Sequence, residues 1–170
     1  MTKIAMPKID RKILAKKKMI IKNLKKIIKT ENVLDHEDEL RPFETDALSA
    51  YKQKPLAVVF PENTKEVSKI LAYCNQERIK VVPRGAGTGL SGGALPLADS
   101  ILLCLGKFNK IIDIDYKNRC VVAQSGVTNL SITKAVEDKG FYYAPDPSCQ
   151  IACSIGGNVS ENSGGVHSLK

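Results

Sequence analysis

Five glycines lie within the sixteen residues VVPRGAGTGLSGGALP, at 85, 87, 89, 92 and 93 between Val81 and Pro96. Glycine loses the most conformational freedom on folding and gives a core nothing to pack, so such a run suits neither a helix nor a strand interior. It offers bare backbone instead. Repeated access to positive φ lets consecutive N–H groups converge as a concave nest for phosphate oxygens. A second run, PDPSCQIACSIGGNVSENSGGVHSLK from Pro145 to Lys170, sets Gly156, Gly157, Gly164 and Gly165 beside Ser154, Asn158, Asn162 and Ser163. Short hydroxyl and amide side chains can bind the polar edge of a flat ring, so the two runs together point to one extended ligand. Each run alone also fits an exposed turn or disorder.

Two phosphate motifs can be tested against the letters. No Gly-x-x-x-x-Gly-Lys-Ser/Thr occurs, which excludes a P-loop. Gly87, Gly89 and Gly92 match Gly-x-Gly-x-x-Gly, with Asp113 about twenty residues further on. That fingerprint must open a helix, whereas Gly93 and Pro96 follow it here and no helical period resumes until well downstream. A Rossmann site is not expected.

Charge is unevenly placed. The net +8 comes from residues 1–30, where eleven lysines and arginines face only Asp10, and the remainder is close to neutral. A basic patch for nucleic acid is therefore not expected of the main body. Ile13, Leu14, Ile21, Leu24, Ile27 and Ile28 recur at helical spacing among the lysines, predicting an amphipathic helix. Its apolar stripe can pack on the rest of the chain, face anionic lipid, or belong to a mitochondrial-type targeting segment, although such segments favour arginine and serine. No apolar run is long enough to span a bilayer and no secretory signal opens the chain, which points to a cytoplasmic address. The five cysteines form no Cys-x-x-Cys pair and read as reduced thiols, mostly small core residues. No metal site is expected, because His36 and His167 each lack a second histidine at ligand spacing and read as solvated loop residues.

The length of 170 residues suits one sizeable core. LAVVF at 56–60 reads as a buried strand, Asn63 and Glu66 as N-cap and capping-box partner, and Val67, Ile70, Leu71 and Cys74 as the apolar face of the helix they start. IKVV at 79–82 completes a βαβ unit. SILLC at 100–104, KIIDI at 110–114 and CVVAQ at 120–124 predict a hairpin-rich region, and a helix is expected over 128–139 with Gly140 as its stop.

PRGAGTGLSGGALPL at 83–97 and YYAPDPSCQIACSIGGNVSENSGGVHSLK at 142–170 resemble the two flavin-binding stretches of the FAD-linked oxidase family, the fold of vanillyl-alcohol oxidase and p-cresol methylhydroxylase. Within that family these strings, with DALSAY at 46–51, resemble the FAD-binding subunits of bacterial glycolate oxidases and the D-lactate and other D-2-hydroxy-acid dehydrogenases, over residues 35–170. The resemblance implies an α+β fold of PCMH type. It consists of a basic N-terminal helix (1–34), a small βαβ-containing FAD-binding subdomain (35–108), and a second α/β subdomain (109–170) that is incomplete. It implies FAD wrapped by Arg84, Gly85, Ala86, Gly87, Thr88, Gly89, Leu90, Ser91, Gly92 and Gly93 at its diphosphate. The rest of the flavin is then lined by Pro145, Asp146, Pro147, Ser154, Gly156, Gly157, Asn158, Asn162, Gly164 and Gly165. Some relatives tether the flavin through a histidine where Thr88 stands, so dissociable FAD is expected. Arg84 either adds charge to the diphosphate or is an ordinary surface or ion-paired arginine.

The implied reaction is oxidation of a small 2-hydroxy acid by hydride transfer to flavin, with an iron–sulfur subunit as electron-transfer partner and a cytoplasmic site, peripheral to the inner membrane if the basic helix touches it. No catalytic residue is visible, since Asp113 and Asp115 sit where solvation explains them and no nucleophile–base pair exists. Relatives continue well past this point, so activity is expected only with the missing C-terminal part. A non-catalytic remnant or interaction module of the same fold is the alternative. A third reading keeps the fold with another reaction, as in a reductase of cell-wall precursors or the flavin subunit of a molybdenum hydroxylase.

Overall fold

The computed structural model describes residues 7–167. The chain divides into two compact units, one comprising the residues up to Pro83 with Leu90–Cys104, the other Arg84–Gly89 with the residues from Leu105 onward. The first glycine run is thus divided between them.

In the first unit the basic stretch forms two helices instead of one. Asp10 caps α1 (Arg11–Ala15) by accepting from the Lys12 N–H at 2.8 Å, and α2 (Lys17–Ile27) follows after Lys16. Ile13, Ile21, Leu24 and Ile28 are buried; Ile20, outside the expected stripe, is fully buried, and Leu14 stays 38 % exposed. The stripe therefore serves the unit's own core.

Strand β1 (Val33–Leu34) and helix α3 (Glu37–Leu40) precede β2 (Ala57–Val59), α4 (Thr64–Gln76), β3 (Lys80–Arg84) and β4 (Ser100–Cys104). Before α3, the His36 N–H donates to Glu39 Oε2 at 3.2 Å, so this histidine marks a helix start. The sheet order is β1-β2-β4-β3, with β1 antiparallel to β2 and β2 parallel to β4 in the register Ala57–Ile101, Val58–Leu102, Val59–Leu103. The expected β2-α4-β3 unit is present, but β4 lies between its strands. That position explains its five consecutive apolar or small residues, all buried, as covered parallel strands require. Val58, Leu102, Leu40 and Cys104 form the core, with Leu34, Phe43, Phe60 and Val82 packed on it.

Asn63 caps α4 by accepting from the Glu66 N–H at 3.0 Å. The Glu66 carboxylate reaches the Glu62 N–H at 2.7 Å, one residue before the cap, so the expected capping box is displaced. Ile70 and Cys74 are buried while Leu71 is 44 % exposed, which narrows the expected face. Buried Asp99 accepts from the Asp10 N–H at 2.7 Å and Lys80 Nζ at 2.8 Å, tying the start of α1 to β3. Burial alone would raise the Asp99 pKa; these two hydrogen bonds outweigh it and hold the carboxyl below its ordinary range.

In the second unit β5 (Ile111–Asp115) and β6 (Cys120–Ala123) form an antiparallel hairpin. The hairpin-rich region predicted from three strands is therefore a single hairpin, because β4 joins the other sheet. Asp115 orders its turn by accepting from the Asn118 N–H at 2.9 Å and Nδ2 at 2.6 Å, and Asp113 Oδ1 accepts from the Ile114 N–H. Both carboxylates are thus used locally. Thr128 caps α5 (Asn129–Val136), a short 3-10 turn follows, and Gly140 stops it at φ 75°, as the sequence predicts. Helix α6 (Ile155–Glu161) lies inside the second glycine run, where a loop is expected. Among the described residues no helix is long and apolar enough to cross a membrane.

Candidate functional site

The second unit brings parts of both glycine runs together. After Arg84 the segment Gly85–Gly89 has no regular structure and lies against α6. A Cβ on Gly85 would collide with Ser154 Oγ, and one on Gly89 with the Glu161 carboxylate. Gly87 has φ +74°, and the Arg84 guanidinium lies where its Cβ would point, so Arg84 folds back over its own loop. Ala86 is exposed and Thr88 half-buried.

Tertiary contact explains why α6 is helical despite two glycines in its first turn, each worth about 1 kcal/mol of lost propensity. A Cβ on Gly156 would stand 2.7 Å from Ser125 Cβ and 2.8 Å from its carbonyl oxygen. The Gly156 N–H donates to that carbonyl at 2.8 Å and the Ile155 N–H to Val127 O at 2.7 Å. Ser154 Oγ accepts from the Gly157 N–H at 3.4 Å, and Asn162 closes the helix at φ 51°.

Asn158 is buried, and its amide donates to Asn129 Oδ1 while Asn129 Nδ2 donates to Pro145 O at 2.9 Å. This chain fastens the Pro145–Pro147 segment to α5 and α6. Asn158 thus acts as scaffold, and Asn129, which carries no sequence signal, is its hub. Gly165 packs so closely on Asp146 that a Cβ there would overlap the carboxylate. The Asp146 carboxylate accepts from the His167 N–H at 3.2 Å and meets His167 Nδ1 at 2.7 Å. The hydrogen bond from His167 holds the Asp146 carboxyl below its ordinary range, against the opposing effect of burial. The histidine read as solvated therefore has a carboxylate partner, which nothing in the local sequence announces.

Leu90, Ser91, Gly92 and Gly93 belong to the first unit, where Leu90 is 70 % exposed and Gly92 has φ +77°. The Cβ position of Gly92 lies 3.7 Å from Leu48. Two residues earlier, buried Asp46 accepts from the Leu48 N–H at 2.9 Å through Oδ1, while Oδ2 has no hydrogen-bond partner among the described residues. A buried acceptor left open calls for a donor. Among the described residues no group of three histidines, cysteines or carboxylates could hold a metal ion.

Within the second unit the arrangement supplies close backbone approach beside an arginine. The family described as FAD binding domain matches residues 55–170. The glycolate oxidase subunit GlcD of Escherichia coli strain K12 is 49% identical over 98% of this chain and 32% of its own length. D-lactate dehydrogenase of Anaerostipes hadrus is 36% identical over 85% of this chain and 30% of its own length. The chain spans about a third of the length of these relatives. The structure of p-cresol methylhydroxylase with substrate bound superposes with a TM-score of 0.76 at 20% identity, over 91% of this chain and 30% of that one, and shares the PCMH-type α+β fold.

Proposed function

This chain belongs to the FAD binding domain family, and on that premise we propose that it is the flavin-binding portion of an oxidoreductase that oxidises a D-2-hydroxy acid of the glycolate or D-lactate type. The observation that carries the reading is the packing of Gly85 and Gly89 on Ser154 and Glu161, which sets the start of the first glycine run beside the second within one unit. These residues fit FAD: the side-chain-free backbone of Gly85–Gly89, with Gly87 at φ +74°, can turn its amides toward a diphosphate.

Bound flavin supplies the hydride acceptor for the substrate α carbon. The protein's part is binding and orientation. Arg84–Gly93 hold the diphosphate, with Arg84 adding positive charge; Pro145–Pro147, Ser154–Gly157 and Asn162–Gly165 line the ring system, on the scaffold that buried Asn158 supplies. Thr88 cannot form the tether a histidine would, which supports non-covalent FAD. The hydroxy-acid substrate, an iron–sulfur electron-transfer partner, a cytoplasmic location and contact of the lysine-rich face of α1 and α2 with an anionic membrane belong to the same proposal.

The test is direct. Purified chain reconstituted with FAD is expected to show a visible flavin absorption band that acid precipitation releases into the supernatant. Dye-coupled turnover of glycolate or D-lactate is expected once the chain is joined to the remainder found in its relatives. Flavin retained in the acid pellet would contradict dissociable binding. The exposed Ile112 and Val122 of the β5-β6 hairpin favour a second reading, an interaction module, which predicts partner binding and no flavin uptake.

A further inference from the structure

Two thiols next to α6 have no part in the function above. Residues 147–153 form a compact turn in which the Gln150 N–H donates to Pro147 O and the Ala152 and Cys153 N–H groups both donate to Cys149 O, each at 2.8 Å. The turn is anchored by the Leu130 N–H donating to Gln150 O at 3.2 Å. A backbone bond from residue i+4 to residue i sets their Cα atoms about 6 Å apart with both Cβ atoms on one face, inside the roughly 4.4–6.8 Å span that a disulfide bridges. Cys149 is half-buried in a turn whose Ser148, Ile151 and Ala152 are exposed, whereas Cys153 is 3 % exposed. Cys149 and the Asn158 amide both lie near enough to act on the Cys153 thiol, Cys149 raising its pKa and Asn158 lowering it.

We propose that Cys149 and Cys153 form an oxidisable dithiol that closes to an intrachain disulfide and thereby controls the glycine cradle built on α6. The oxidant is a low-molecular-weight disulfide of the glutathione class. Cys149 thiolate, the sulfur solvent reaches first, attacks it, forming a mixed disulfide and releasing one thiolate. Cys153 then loses its proton to water and attacks the Cys149 sulfur, releasing the second thiolate. Two protein thiols are oxidised to one disulfide, and the small disulfide is reduced to two thiols. Burial pushes the Cys153 thiol up, which makes the second step the slower one; the Asn158 amide acts in the opposite direction.

The consequence follows from the neighbouring residue. Ser154 caps α6 and is the side chain against which Gly85 packs, so pulling Cys153 toward Cys149 moves the contact between the glycine runs. This consequence rests on the FAD reading above, whereas disulfide closure does not.

The experiment treats the reduced chain with oxidised glutathione and divides it, one part quenched in acid for alkylation and fragmentation mass spectrometry of the thiols, the other titrated with FAD. The expected result is loss of two hydrogens localised between Cys149 and Cys153, reversed by dithiothreitol, with FAD affinity about tenfold weaker in the oxidised form. Cys149→Ser is expected to keep its affinity through the same treatment. A persistent glutathione adduct on Cys149 with Cys153 still alkylatable, or a link through exposed Cys120, would overturn the dithiol. Closure with unchanged FAD affinity would overturn the control of the cradle. Should reduced chain take up no FAD, the site reading fails while the mass readout still decides the dithiol, and that readout on the unmodified sequence needs no variant to fold.

Discussion

The two units are held together in different ways. In the first, β2 and β4 are buried along their whole length and the core is made of Leu, Ile and Val. In the second, the β5-β6 hairpin leaves Ile112 64 % and Val122 52 % exposed, and cohesion comes from capped helices, the Asn129–Asn158–Pro145 chain and glycines that admit neighbouring backbone. The first unit is stabilised mainly by apolar area; the second adds close backbone approach and polar satisfaction to a smaller core of Phe108, Val127, Ile132 and Val136. The lesson is that a unit built around bare backbone gives up core there, since glycines add no side chains to pack.

This contrast can be broken by substitution. Leu102→Ala removes a fully buried side chain from β4 and is expected to destabilise the first unit by about 3 kcal/mol in urea denaturation. Val122→Ala on the exposed hairpin face is expected to cost less than about 1 kcal/mol. Equal losses would erase the distinction. In the second unit, Asn129→Ala strands the Asn158 amide and the Pro145 carbonyl, for an expected loss of about 2 kcal/mol. Gly156→Ala must displace Ser125 and is expected to lower stability by about 1–2 kcal/mol, with weaker FAD binding as a second readout.

Smaller effects sharpen the same comparison. The Glu161 carboxylate lies against Gly89 in a loop assigned to a diphosphate, where like charge opposes binding. Glu161→Gln is expected to tighten FAD a few-fold and Arg84→Gln to weaken it by a similar factor, both by fluorescence titration. Shifts of the same sign would remove the diphosphate from this loop. The mildest effect is with pH. Asp146 has a depressed pKa through His167, so its contribution is present above the ordinary carboxylate range and fades as pH falls through the depressed value. Asp146→Asn is expected to flatten the acid limb of a stability–pH profile.

Legibility in the sequence followed the same division. Strand β4 was readable because SILLC is an unbroken run in a covered sheet, and Gly140 because a left-handed stop has a local signature. Helix α6 was not, because the glycine at 156 is explained by Ser125, thirty-one positions away in the chain. Asn129 and the Asp146–His167 pair were hidden for that reason too: polar contacts between distant residues leave no period to detect. Ile20, seven positions after Ile13 and four before Leu24, was legible at the same helical spacing.

Hydrogen exchange read by mass spectrometry, with and without saturating FAD, tests the cradle most directly. Bare amides that close on the flavin must lose solvent when it binds, so protection is expected to rise together at 84–93 and 154–165 and saturate with FAD. Protection confined to one of the two stretches, or absent from both while flavin is bound, would contradict a shared backbone cradle.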